Sequence, residues 1–173
     1  MQAEQRDGEA GKEELLVVSN SSVIIALAKI CRLALLEKLF KKIIVPEAVW
    51  REVTVEGKPG HEKILRVEFI HVEKASGRRL VALLEELVDR GEAEAIVLAL
   101  ELNADLLLVD DHDVRSLAKK LGLQVMGTLG VLALAKYRGL IQEVKPIIDE
   151  LIKRGFWISR KILKEFLREL DEY

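Results

Sequence analysis

Short apolar runs, Leu15–Val18, Ile43–Val45 and Leu106–Val109, are separated by longer stretches whose apolar positions recur at helical spacing. Runs of this length bounded by polar or turn residues read as strands buried on both faces, the pattern of a parallel sheet. A further short strand is expected at Leu123–Met126, and Arg66–Val72 alternates like a peripheral one beyond the loop Gly57-Lys-Pro-Gly60. Helical material is expected from Ser22 to Phe40 and from Pro46, a residue suited to a first helical turn, to about Val53. More follows from about Gly77 to Asp89, from Glu92 to Leu102 after a break at Gly91, and from Asp113 to Leu121. Three closing helices, Leu129–Arg138, Val144–Arg154 and Arg160–Leu170, are divided by Gly139 and Gly155, with Ser159 as N-cap of the last. The order predicts an α/β protein with repeated β-α units around a mostly parallel central sheet.

Composition narrows this picture without changing it. Half of the 173 residues are apolar, enough for one domain, taken as residues 15–173. Residues 1–14 carry almost nothing apolar and are expected to form a flexible charged tail. No apolar run is long enough to cross a bilayer and no basic-then-apolar leader opens the sequence, so a soluble, cytoplasmic location is expected. Cys31 is alone, excluding an internal disulfide, and reads as a small buried hydrophobe. The formal net charge of −2 provides no global field for a polyanion, so any nucleic acid must be held by local cations.

The candidate chemistry lies in acids far apart in the chain. Glu52 falls in the helix after the second strand, Glu94 near the start of a later helix, and Asp110-Asp111-His112-Asp113 directly follows Leu106–Val109. Asn20 follows the first strand. In an open parallel sheet, ligands bind beyond the carboxyl ends of the strands where strand order reverses, so these residues are expected to converge. Clustered carboxylates suit phosphodiester hydrolysis, because they hold Mg²⁺ or Mn²⁺ as hard oxygen ligands; sparse His and Cys disfavour zinc. An aspartyl-phosphate phosphatase would need its nucleophile where Asn20, Ser21 and Ser22 stand. A receiver domain would place its acid pair near the first strand, whereas this pair follows a late one.

Four segments in order, Val17-Val-Ser-Asn-Ser-Ser-Val-Ile-Ile-Ala-Leu-Ala-Lys29, Val45-Pro-Glu-Ala-Val-Trp-Arg-Glu-Val53, Gly91-Glu-Ala-Glu-Ala-Ile-Val-Leu-Ala99 and Leu107-Leu-Val-Asp-Asp111, resemble a PIN domain, most closely the branch related to VapC-like toxin ribonucleases. The resemblance extends from about Leu15 to Leu170. It implies a three-layer α/β/α fold with C-terminal helices, divalent-metal-dependent endoribonuclease activity, frequent homodimerisation and often an antitoxin partner. It places the four acidic positions at Asn20, Glu52, Glu94 and Asp111, with Asp110 as a neighbouring ligand and Ser21 or Ser22 as the small hydroxyl. Asn20 departs from the family's aspartate: an amide keeps a ligand oxygen but loses a unit of charge, which Asp110 or Asp113 could compensate. A catalytically silent binding module is the alternative.

Blander roles exist for each residue. Periodicity does not choose between Glu92 and Glu94, and acids in a first turn also complement the helix dipole. Asp111 or Asp113 could be an N-cap, His112 a turn residue, and Gly127-Thr-Leu-Gly130 a connector. Arg115 and Lys119, four apart beside the Asp cluster, are candidates for holding RNA phosphate, single-stranded or structured. Arg160, Lys164 and Arg168 form a solvated stripe. Trp50 and Trp157 could stack bases or sit at a dimer seam, with packing in the core or an interface the favoured expectation.

Overall fold

A computed structural model describes residues 14–173. Its centre is a five-stranded sheet of order β3-β2-β1-β4-β5, comprising β1 (Val17–Ser19), β2 (Ile43–Pro46), β3 (Ile70–Glu73), β4 (Leu106–Leu108) and β5 (Val125–Met126), with every pairing parallel. Side chains alternate across the strands. Val17, Ile43, Val45 and Leu108 enter one core, while Val18, Ile44, Leu107 and Val109 enter the other. Because both faces of β1, β2 and β4 are largely buried, these strands fall within short apolar runs, whereas β3 at the sheet edge alternates.

The first core is closed by α1 (Ser21–Lys29), α2 (Ala34–Phe40), α3 (Glu47–Thr54), α4 (His61–Arg66), α8 (Thr128–Tyr137), α9 (Lys145–Lys153) and α10 (Arg160–Glu169). The second is closed by α5 (Arg78–Leu84), α6 (Arg90–Glu101) and α7 (His112–Lys120). This is the expected α/β/α sandwich, with C-terminal helices and a wholly parallel sheet. None of the described helices is long and apolar enough to cross a membrane.

Local departures from the sequence reading have physical causes. The six-residue α4 buries only Ile64, too little to register as a periodic pattern. Pro46 ends β2 in extended conformation and serves as N-cap of α3 rather than lying inside it. Gly91 does not break the chain: it is the second residue of α6, which a capping box initiates from Asp89. Cys31 is exposed, with φ of 56° in the turn after α1, not buried. Trp50 packs half-buried against the first core, whereas Trp157 is 83% exposed, outside any core. The tail expected over residues 1–14 lies outside the described residues except for Glu14.

The chain's last turn is tied down by one carboxylate. Glu172, only 8% exposed at its side chain, accepts from the Val144 and Lys145 N–H groups at 2.7–2.8 Å and from Lys136 Nζ at 2.7 Å. It thereby satisfies donors that open α9 and have no partner within that helix. Burial pushes the Glu172 carboxyl up, but Lys136 and the two N–H groups outweigh it and hold the carboxyl below the usual value. Its stabilisation is therefore present above the ordinary glutamate range and lost as pH falls through the lowered value. Glu172→Ala is expected to cost about 2–3 kcal/mol in denaturant unfolding at neutral pH. The gap from wild type should narrow in acid; a gap constant with pH would refute this assignment.

Candidate metal centre

Strand order reverses at β1, which pairs with β2 on one side and β4 on the other, so a crevice opens beyond their carboxyl ends. Asn20 occupies it directly after β1, its N–H donating to the Leu108 carbonyl at 2.9 Å. Asn20 is the N-cap position of α1, yet its side chain caps nothing. The residue is 4% exposed and Oδ1 has no hydrogen-bond partner among the described residues. An orphaned buried oxygen costs roughly 1–3 kcal/mol, and a water or cation would satisfy it.

The acids gather around the first turn of α6. Asp89 Oδ1 accepts from the Glu92 N–H at 2.8 Å, and Glu92 Oε2 accepts in return from the Asp89 N–H at 3.0 Å. Gly91 lies between them, and a Cβ there would stand 3.5 Å from both Asp89 Oδ1 and Glu52 Oε2. α3 thus brings Glu52 against this turn. Burial pushes the Glu92 carboxyl above its ordinary value, the Asp89 N–H partly opposes this, and the negative charges of Asp89, Asp111 and Glu52 raise it further. Asp111 caps α7 through Oδ1, which accepts from the Val114 N–H at 2.9 Å. Asp89, Glu92, Asp111 and Asp113 line one groove of about 430 Å³. Among the described residues no three Asp, Glu, His or Cys side chains form a ready-made ion cage. All these ligating atoms are oxygens, and the mutual repulsion of the carboxylates suits a hard divalent cation.

Two acids expected in the cluster are engaged elsewhere. Glu94 Oε2 accepts from the Ala48 N–H at 3.1 Å in the first turn of α3, and Oε1 pairs with Arg90 Nε at 3.1 Å. It faces a separate polar pocket with Arg51, Lys74 and Arg78, two residues around the helix from Glu92. Asp110 uses both oxygens on Thr128, accepting from its N–H and from its hydroxyl, each at 2.7 Å, and so joins β4 to the start of α8. Ser22 Oγ accepts the Asp110 N–H at 3.1 Å, while Ser21 is buried at the head of α1. Arg115 is half-buried beside Gly127, and Lys119 is exposed further along α7.

Sequence reasoning passed over Asp89. The signal was there, because Asp89-Arg-Gly-Glu92 has the spacing of a capping box. That pattern would have started the helix before Gly91 and turned Glu92 toward Asp111.

A second cleft, of about 810 Å³, adjoins the acids and is bounded by Ser22, Asp110, Asp111, Arg115 and the segment Phe156–Ser159. Asp111 lines both this cleft and the acidic groove. Comparison with protein families finds that the family described as a PIN domain matches residues 16–172. Comparison with curated proteins finds no match.

Proposed function

Because this chain belongs to the PIN-domain family, whose fold is of nuclease type, we propose that it is a divalent-metal-dependent endoribonuclease. The observation that carries this reading is the crowding of Asp89, Glu52 and Asp111 around a Glu92 whose ionisation they oppose. Glu92 and Asp111, with Glu52 and the amide oxygen of Asn20, would hold Mg²⁺ or Mn²⁺, directly or through water. In this reading Glu92 takes the position that family resemblance gave to Glu94. When bound, the ion lowers the pKa of a coordinated water and stabilises charge on phosphate oxygens.

The chain's own residues supply the rest. Glu52 makes no side-chain hydrogen bond among the described residues, so its carboxylate is free to take a proton from water. The capping bonds of Asp111 and Glu92 fix both carboxylates at helix starts, where little rearrangement precedes ion binding. Arg115, beside Asp110, is placed to hold an RNA phosphate. The reading extends to a homodimer and to the toxin role, with an antitoxin as neutralising partner.

One observation favours a second reading. Asn20 removes a unit of charge from the crevice, as a catalytically silent RNA-binding or protein-binding module would tolerate. Single-stranded RNA incubated with the full chain should be cut when Mg²⁺ or Mn²⁺ is present and spared when EDTA is added. If neither this chain nor its Asn20→Asp variant binds either ion in calorimetry, the nuclease reading fails.

A further inference from the structure

We infer that the 810 Å³ cleft beside the acids is a nucleobase subsite, in which a base of single-stranded RNA stacks on Trp157 while Lys29 and Arg154 hold the flanking phosphates. This rests on the nuclease reading and assigns the substrate's approach to the same site.

Trp157 lies in the extended segment between α9 and α10, following Gly155, whose φ of 95° turns the chain out of α9. Side chains alternate along an extended segment. Phe156 packs against the first core and Ile158 is half-buried, so the residue between them is turned outward and left 83% exposed at the mouth of the cleft. The interior is apolar, formed by Ile25, Leu129 and Leu151. At its edges stand Lys29, Arg115 and Arg154, none of which pairs with a carboxylate among the described residues.

A flat aromatic face, an apolar floor and unpaired cations together complement a polyanion that carries flat apolar groups, which is single-stranded nucleic acid. Position selects the same occupant. Asp111 is shared with the acidic groove, so a strand seated on Trp157 reaches the acids where the two clefts meet at the start of α7. A partner protein would meet the same apolar floor, but its backbone carries no row of phosphates for Lys29, Arg115 and Arg154 to hold.

The test is binding of a fluorescein-labelled uridine octamer to the full chain in EDTA, where no cleavage occurs, read by anisotropy and by tryptophan emission. Trp50 is partly buried and contributes a constant background. The octamer should quench Trp157, and Trp157→Ala should weaken binding roughly ten- to a hundredfold, with Trp157→Phe intermediate. An octamer of abasic ribose phosphates should bind the wild type no better than the uridine octamer binds Trp157→Ala. Wild-type affinity in Trp157→Ala, with an unaltered circular dichroism melt, overturns the subsite. Equal affinity for the abasic chain does the same, as does loss of self-association in sedimentation with RNA binding unchanged, which makes the cleft a protein seam. The two readings fail separately. Trp157-dependent binding without cleavage by wild type or Asn20→Asp sinks the nuclease and spares the subsite, whereas cleavage with KM unchanged in Trp157→Ala does the reverse.

Discussion

An Asn20→Asp variant should bind Mn²⁺ at least a hundredfold more tightly than the wild-type chain and cleave RNA faster by a comparable factor. A unit charge facing a divalent ion at about 4 Å, in a medium of effective dielectric about 20, gains about 8 kcal/mol before solvent and neighbouring ligands offset it. A surplus of only about 3 kcal/mol suffices for a hundredfold. The price appears in the metal-free protein, because Asn20 is 4% exposed and a carboxylate there has no visible counter-charge. Without ions the variant should therefore melt below wild type, and Mn²⁺ should reverse that order. Calorimetry and thermal melts with and without the ion read both effects. A variant whose affinity and melting point match the wild type's would show that Asn20 lies outside the ion's reach.

Glu92→Gln should behave in the opposite sense. Glutamine can still accept the Asp89 N–H, so the capping box survives, but the charge that Asp89, Asp111 and Glu52 oppose is gone. The Glu92 carboxyl is raised in the folded state, so ionising it destabilises the protein. Stability is fully present below the ordinary glutamate value and declines as pH rises through the raised one. At neutral pH and without metal, Glu92→Gln should accordingly be more stable than wild type. That gain should vanish in acid. Metal affinity and RNA cleavage should fall at least a hundredfold, as expected for loss of a charged ligand. Glu94→Gln is the control: it weakens the hold on the Ala48 N–H and Arg90 but should leave the response to Mn²⁺ intact. If Glu94→Gln abolishes ion binding and Glu92→Gln does not, the assignment made here is reversed.

Three strand positions, those of β1, β2 and β4, were legible because burial on both faces writes them as short apolar runs. The family resemblance is a property of the same segments, and Asn20, Ser22 and Asp110 were placed correctly beyond strand ends. The choice between Glu92 and Glu94 was not legible. Each lies on its own stripe of α6, and what each stripe faces depends on how α3 and α7 pack against it, which no local pattern encodes. Asp110 illustrates a similar limit: its bonds to Thr128 span 18 residues. Gly91 misled for the opposite reason. Glycine's poor helix propensity argues for a break, but the capping box overrides it. From sequence alone Trp157 is a candidate for base stacking but is expected in a core or interface, because tryptophan is usually buried, and only the fold shows which of the two tryptophans is left outside.

The sheet order has a consequence for the protein's birth. β1 emerges early from the ribosome, yet it becomes the middle strand, flanked by β4, whose register partner for Val17 is Leu106. Such distant pairings form late, since the intervening loop must be closed before they contribute. The crevice between Asn20 and Asp110 therefore does not exist on a nascent chain until β4 has been synthesised. A product terminated before β4 would lack the crevice altogether.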